Sequence, residues 1–276
     1  MLSVNTNTGA MTALQYLNDT NSQLQATETA INSGLKVASA KDNGAIFAIA
    51  QNMRGNVAGY SAVSDSLNRG ISVVDTAMSA AQSVSDLLIQ MKQNALAASD
   101  SSLDQTSRNS LAADFQAMSD QITSIVENAS FNGINIVSNS TGTGAGQDIS
   151  ALASASDQSQ TISVTGQDLT VGTLGVNAAY TTQTTAASMV ATVSAALATV
   201  NTALSSLSSG AKKFSIQADF VSKLSDTLTT GIGNLVDANM AQESATLTSL
   251  QTKQQLGIQA LSIANQAPSS ILSLFR

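Results

Sequence analysis

Apolar residues recur at three- and four-residue steps along most of the chain. The longest run extends from Ile46 to Ala95 with a mean spacing of about 3.5 residues, the period of a coiled-coil seam. Gly55, Gly59 and Gly70 lie within this run, and each costs a helix about 1 kcal/mol relative to alanine. The pattern therefore predicts a long helix that is stabilised by packing rather than by helix propensity.

Two further runs show the same helical spacing. One extends from Leu111 to Ala129, and the other extends from Val190 to Val221. Because two of the three runs precede the middle of the chain and one follows it, we expect one helical bundle that both halves of the sequence build.

The segment at about 131–187 has a different pattern. Phe131-Asn132-Gly133 is a turn signal that leads into apolar residues at strand-like spacing. Alternating apolar residues at 162–171 flank a second turn signal at 166–168, which predicts a small β-hairpin. The stretch at 140–159 is rich in Gly, Ser, Thr and Ala and is typical of a loop.

The first segment of the chain fits a heptad register. Its apolar members are Leu14, Leu17, Leu24, Ile31 and Leu35. Asn21 and Glu28 occupy seam positions in the same register. The pattern predicts an amphipathic helix whose seam is partly polar.

The last segment fits a second register, which Glu243, Gln254 and Gly257 interrupt. Its members are Met240, Leu247, Leu250, Leu261, Ala264, Ile271 and Phe275. Pro268 is expected to kink or end this helix locally.

Three apolar residues of the last segment lie off its seam. They are Leu256, Ile258 and Ile263, and a helix that is apolar on several faces has to be buried. Because the segment has no core of its own, both chain ends are expected to lack an intramolecular partner and to order only on meeting neighbouring subunits.

The composition favours long, narrow helices and excludes several kinds of chemistry. Of the 276 residues, 43% are apolar, 3% are aromatic and 11% are charged, whereas an average domain has about 25% charged residues. The absence of Cys and His excludes disulfides, zinc sites with S or N ligands, thiol nucleophiles and Ser-His-Asp triads. A net charge of −7 argues against nucleic acid and anionic membranes as partners.

Targeting and membrane signals are not expected in this chain. The first basic side chain is Lys36, so the pattern lacks the basic and apolar regions of a cleaved secretory signal. No stretch is expected to reach the roughly 18 apolar residues of a membrane-spanning helix.

Two features suggest a ligand site at first sight. Gly142-Thr143-Gly144-Ala145-Gly146 lacks the spacing and the following lysine of a phosphate-binding loop and is interpreted as a flexible loop. Asp100, Asp114 and Asp120 could hold a cation, but a solvated helical face is the preferred interpretation. We therefore assign no catalytic, cofactor-binding or metal-binding residues.

Short motifs near both ends of the chain carry a family resemblance. The motifs are Val4-Asn5-Thr6-Asn7, Ser33-Gly34-Leu35-Lys36, Ser39-Ala40-Lys41-Asp42, Gly70-Ile71-Ser72, Phe131-Asn132-Gly133, Ala264-Asn265-Gln266-Ala267-Pro268 and Ile271-Leu272-Ser273-Leu274-Phe275-Arg276. In this order and at these positions they resemble bacterial flagellin. Since the divergent middle has only about 50 residues, the chain is similar to the short flagellins of alphaproteobacteria, which lack variable outer domains.

The resemblance implies a mainly α fold, an elongated coiled-coil helical bundle that both chain ends build, with a small β-hairpin region in the middle. Residues 1–42 and 235–276 would form a discontinuous inner domain of paired terminal helices. Residues 43–234 would form an outer helical domain with the hairpin insertion at about 131–187. Flagellins of several lineages carry O-linked sugars, so modification of the Ser/Thr-rich middle stays open.

The resemblance also implies a function without enzymatic activity or cofactors. The chain would polymerise through its terminal helices into the bacterial flagellar filament for swimming motility, alone or with other flagellins. Its partners would include the flagellar export apparatus and a chaperone, and the filament cap and hook-junction proteins, with no nucleic acid and no membrane insertion. It would be extracellular and exported without a cleaved signal peptide.

The expected subunit interface comprises apolar residues of both terminal segments. They are Leu14, Leu17, Leu24, Ile31, Leu35, Met240, Leu247, Leu250, Leu256, Leu261, Ile263, Ile271, Leu274 and Phe275. One alternative is a hook–filament junction protein, a relative with similar ends that acts as an adaptor. A secreted coiled-coil binder or enzyme is another, but the sequence has no catalytic constellation for it.

Overall fold

The computed structural model describes residues 6–138, 147–155 and 157–272. These residues form the helices α1 (Thr8–Ser33), α2 (Gly44–Ala98), α3 (Gln105–Asn128), α4 (Val171–Leu174), α5 (Gln183–Val236) and α6 (Met240–Leu272) and the strands β1 (Ile149–Leu152) and β2 (Thr161–Val164). The mainly α fold with a small antiparallel sheet in the middle is therefore confirmed.

The three long apolar runs lie where helices were predicted. The run from Ile46 to Ala95 lies inside α2, the run from Leu111 ends one residue beyond α3, and the run from Val190 lies inside α5.

Local capping defines some of the helix ends. Asn7 accepts a hydrogen bond from the Ala10 amide at the start of α1, whereas Gly34 ends that helix in the left-handed region.

The described residues divide into two compact units. The first unit combines the residues up to Gly55 with those from Thr227 onward, and the second unit extends from Asn56 to Asp226. The domain boundaries expected from the family resemblance, 1–42 with 235–276 and 43–234, stay a prediction.

The second unit has one hydrophobic core, to which α2, α3, α5 and the middle segment all contribute. Its largest fully buried side chains are Tyr180, Phe115, Phe214, Leu67, Leu88, Met91, Ile122, Ile136, Leu169 and Leu207. With few aromatic residues available, glycines let bulky side chains come close to the helices. A Cβ atom at Gly70 would lie 3.1 Å from Phe214, and one at Gly210 would lie 2.5 Å from Val164.

The buried side chain of Arg108 connects the end of α2 to the start of α3. The Arg108 guanidinium donates hydrogen bonds to the carbonyl oxygens of Ala98 and, at 2.9 Å, of Leu103. Because the last carbonyl groups of a helix have no partner inside it, Arg108 caps α2 from the first turn of α3. A charged side chain is thereby accommodated in an almost completely buried position.

The predicted hairpin has the wrong strand partner. β2 pairs with β1, Ile149 opposite Val164, rather than with residues 169–171. Asp168 is not a hairpin turn residue, because its carboxylate accepts hydrogen bonds from the Thr170 amide and the Thr173 hydroxyl around α4. The carboxylate therefore favours a short helix where alternation suggested a strand.

Two other predictions for the middle segment are also corrected. The residues after Phe131 form a tight turn with one isolated bridge to Ile134, not a strand, and Asn132 and Gly133 both have positive φ. Part of the predicted loop at 140–159 is the strand β1. The Gly142–Gly146 stretch lies outside the described residues.

Among the described residues, α5 alone is long and apolar enough to cross a membrane by length and composition. The expectation that no stretch reaches this level is therefore wrong by this measure. The high mean hydropathy has a structural explanation, because Val193, Val200 and Leu207 are buried in the core of the second unit. Thr199 and Ser205 lie between them and are exposed, which is the pattern of a core helix with one solvated face.

Candidate subunit interface on the terminal helices

The helices α1 and α6 pack against each other as an antiparallel pair. The Asn7 side-chain amide donates to the carbonyl oxygen of Ala264 over 2.6 Å, and the Gln254 side-chain amide donates to the Asn21 side-chain oxygen over 2.7 Å. The start of α1 therefore lies beside the end of α6. The expectation drawn from the apolar pattern, that the terminal helices lack an intramolecular partner, is wrong, because each is the partner of the other. The pairing of the terminal helices that the family resemblance implies is what the structure has.

The seam of α6 has the predicted register. Its buried and half-buried positions are Glu243, Leu247, Leu250, Gln254, Gly257, Leu261 and Ala264, at steps of three and four. α6 extends to Leu272, so the helix does not end at Pro268.

The seam of α1 follows the predicted register in part. Its buried and half-buried positions are Ala10, Ala13, Leu17, Thr20, Asn21, Leu24, Thr27, Ala30 and Ile31. Leu17, Asn21, Leu24 and Ile31 therefore lie as predicted, whereas Leu14 and Glu28 are exposed. Small side chains at this seam let the two helices approach closely. A Cβ atom at Gly257 of α6 would lie only 3.2 Å from the Leu17 side chain.

The expected interface residues fall into two groups. Leu17, Leu24, Ile31, Leu35, Leu247, Leu250 and Leu261 are buried or half-buried within the chain. Leu14, Met240, Leu256 and Ile263 are exposed. The side chain of Ile271 and the residues Leu274 and Phe275 lie outside the described residues. The interface role of all these residues stays a prediction.

Two exposed apolar residues of α1 were not assigned to the interface from the sequence. Met11 and Tyr16 are both more than half exposed, and neither lies in the heptad register that the leucines define. Tyr16 borders a groove of about 500 Å³ between α1 and α6, which is lined by Thr8, Gly9, Thr12, Ala13, Tyr16, Gly257 and Ala260. Small residues on both helices create the groove. The spacing of Gly, Ala and Thr along α1 and α6 was therefore the sequence signal that could have predicted it.

The Ser39–Asp42 motif forms the connection between α1 and α2. The Asp42 carboxylate accepts hydrogen bonds from the Ser39 amide at 2.8 Å, the Ser39 hydroxyl and the Ala38 amide. These bonds, led by those of Ser39, lower the pKa of the Asp42 carboxyl below its ordinary value. The motif is therefore a carboxylate-stabilised turn that positions the start of α2.

The outward surface of the terminal pair carries very little charge. The sequences of α1 and α6 contain four charged residues, Asp19, Glu28, Glu243 and Lys253. Exposed apolar side chains on a weakly charged surface are typical of protein–protein contact sites. The fold and this surface are those of a helical protein with an exposed apolar face.

The aspartates considered as a cation site, Asp100, Asp114 and Asp120 of the second unit, are exposed. No group of three or more potential metal ligands occurs among the described residues.

Comparison with known proteins identifies the family. The model of the bacterial flagellin N-terminal helical region matches residues 4–142, and that of the C-terminal helical region matches residues 189–275. The chain is 49% identical to flagellin FljM of Caulobacter vibrioides over 99% of this chain and 98% of the relative. It is 36% identical to a flagellin of Brucella melitensis over 100% of both chains.

The chain belongs to the bacterial flagellin family. It is a structural subunit of the flagellar filament, and full-length similarity to the Caulobacter proteins makes it a short flagellin of the alphaproteobacterial type. Nothing in these similarities favours the hook–filament junction alternative.

Proposed function

We propose that the chain polymerises by packing the α1–α6 pair of one subunit against those of its neighbours. The observation that carries this proposal is the outward face of α6, where Leu256 is 58% and Ile263 is 70% exposed. They lie seven residues apart, which places them on one face of the helix. Burying each would contribute about 1–2 kcal/mol.

The proposed interface contains two layers. The half-buried seam residues, such as Leu17, Leu24 and Leu261, hold the pair together, while Leu14, Met240, Leu256 and Ile263 contact neighbouring subunits. A contact between different surfaces of two subunits is heterologous, and it generates an open helical polymer when its rotation does not close a ring.

Export and location belong to the same proposal. We propose that the chain leaves the cell through the flagellar export apparatus with a chaperone, keeps its first helix, and assembles beneath the filament cap beyond the hook-junction proteins. The role of α1 in the folded pair supports its retention, since Asn7 both caps α1 and binds Ala264. The intact mass of subunits from isolated filaments tests this, and loss of residues that belong to α1 would contradict it.

We also propose that the protein acts without catalysis or a cofactor. Its sequence has neither Cys nor His, and its surface features are those of packing. Hydrolytic or redox activity of purified filaments that persists after rigorous purification would contradict this.

Seeded polymerisation followed by negative-stain electron microscopy tests the interface. The variant Leu256→Ser/Ile263→Ser should remain helical by circular dichroism but should fail to elongate seeds at concentrations where the wild type forms long filaments. Gln259→Ser is the matched control, because Gln259 is an exposed polar residue of the same helix. Normal elongation by the double variant would refute the interface.

A further inference from the structure

A small polar cavity lies where the strand β2 meets the helix α5 in the second unit. Its volume is about 230 Å³, and the lining residues that carry a charge or a hydroxyl are Ser163, Thr165, Ser205, Ser206, Ser209 and Lys213. Among the described residues that line the cavity, none carries a carboxylate. Although the chain has a net charge of −7, this cavity therefore combines a positive charge with a cluster of hydroxyl groups.

Three of the lining side chains occupy one face of α5. Ser205, Ser209 and Lys213 follow one another at steps of four residues, which places them in a row along the helix. Their hydroxyl and ammonium groups make no hydrogen bond or ion pair within the described chain. Other hydroxyls of the same helix do, because Ser194 and Thr202 each donate to the carbonyl oxygen four residues earlier. The donors of the row are therefore free to bind a ligand.

The end of β2 brings two more hydroxyls to the same cavity. Ser163 and Thr165 are two residues apart, so they lie on the same side of an extended chain. The glycine at position 210 lets the strand approach the helix, since a Cβ atom on Gly210 would lie 2.5 Å from Val164. Two elements that are distant in the sequence therefore direct hydroxyl groups at one small volume.

We propose that this cavity binds a tetrahedral oxyanion, such as phosphate or sulfate. Lys213 supplies a positive charge and three N–H donors, and each hydroxyl supplies one further donor. Hydrogen bonds from such donors to an anion are stronger than those between neutral groups. A tetrahedral ion has four oxygen atoms that accept in different directions, which suits donors arriving from a helix and a strand. A carboxylate has two oxygen atoms in one plane and leaves part of this lining unpaired.

The size and charge of the cavity favour a small ion over a larger ligand. Sites for drug-sized molecules have volumes of about 300–1,000 Å³, and this cavity is smaller. An uncharged ligand such as a sugar would leave the Lys213 charge without a partner. The Asp148 carboxylate, which accepts a hydrogen bond from the Gly166 amide at 3.0 Å, does not line the cavity. The inference is independent of the polymerisation proposed above, because it concerns one subunit.

Equilibrium dialysis of the unpolymerised full chain against radiolabelled phosphate, at constant ionic strength, tests the proposal. The wild type should bind one ion per subunit. The variant Ser209→Ala/Lys213→Met should bind phosphate about tenfold more weakly or less, because it loses a charged and a neutral donor. Circular dichroism verifies that the variant is folded, as expected for exposed positions of a helix.

The matched control is Ser208→Ala/Lys212→Met. It makes the same two changes one residue earlier on α5, at exposed positions that do not line the cavity, and it should bind phosphate as the wild type does. An equal loss of binding in both variants would overturn the proposal, because net charge alone would then explain the binding. Absence of saturable binding to the wild type would also overturn it.

Competition identifies the chemical class of the ligand. Sulfate should displace the labelled phosphate, whereas acetate at the same concentration should not, because acetate has a planar carboxylate. Displacement by acetate as strong as that by sulfate would refute a tetrahedral site. Methyl phosphate distinguishes the free ion from a phosphate ester, since weaker displacement than by unlabelled phosphate supports the free ion. Stronger displacement by methyl phosphate would overturn the free ion as the ligand.

Discussion

Gly210 tests how the second unit is packed. It lies within α5 at a buried position, and a Cβ atom there would lie 2.5 and 2.6 Å from the two γ-carbons of Val164. Val164 cannot retreat easily, because it is buried and paired with Ile149 in the sheet. The substitution Gly210→Ala therefore forces either the strand β2 or the helix α5 to move.

Two opposing effects determine the result of this substitution. Overpacking a close contact costs about 1–3 kcal/mol, whereas replacing a helical glycine by alanine gains about 1 kcal/mol in helix propensity. Gly55 of α2 isolates the second effect, because a Cβ atom there would have no neighbour within 4 Å. Gly55 belongs to the first unit and Gly210 to the second, so each variant is compared with the wild type in the unfolding of its own unit. The change in the free energy of unfolding should be about 1–3 kcal/mol less favourable for Gly210→Ala than for Gly55→Ala.

Urea denaturation followed by circular dichroism measures both variants as unpolymerised protein. The double variant Val164→Ala/Gly210→Ala should lose less free energy of unfolding than the sum of the losses of the two single variants, because the γ-carbons that cause the clash are removed. If Gly210→Ala proves as stable as Gly55→Ala, the helix and the sheet do not pack as closely as the structure shows.

Three further predictions concern polar groups. Arg108→Ala should lower the free energy of unfolding by about 2 kcal/mol, measured in urea, because the carbonyl groups of α2 lose a charged donor. Burial, aided by Asp114, raises the pKa of Tyr180 from 10.0 to about 12. The protonated Tyr180 side chain therefore contributes its full stabilisation below pH 10, and this stabilisation is lost as the pH approaches 12. Tyr180→Phe should flatten this part of a plot of stability against pH. Asn21→Leu/Gln254→Leu should raise the melting temperature of the terminal pair. It should also permit shifted registers of α1 against α6, which appear as altered cross-links between the two helices.

The long helices were predictable because packing against one core requires apolar residues at helical spacing. The seam of α6 was predictable for the same reason, since Leu247, Leu250 and Leu261 mark its register. The seam of α1 was only partly predictable, because Ala13, Thr20 and Thr27 form the contact where Leu14 was expected. Close approach of two helices favours small side chains, and a search for large apolar residues overlooks them.

The middle segment was harder to predict because its elements depend on distant partners. β1 is rich in Ser and Ala, and it is a strand because its partner Thr161–Val164 lies beside it. Local signals around Asp168 equally fit a hairpin turn and the start of a short helix. Hydrogen bonds to Thr170 and Thr173 decide between the two, and no spacing rule reveals them.

The polar, small-residue seam between α1 and α6 has a consequence for how the subunit opens. Among the described side chains of that pair, only Leu250 and Thr27 are buried, whereas the second unit has a continuous core of Val, Leu, Ile and aromatic side chains. Local opening costs least where little apolar surface is buried. Backbone amides of the terminal pair should exchange their hydrogens in a separate, lower free-energy class, so that a lone subunit releases both ends together while its second unit stays closed.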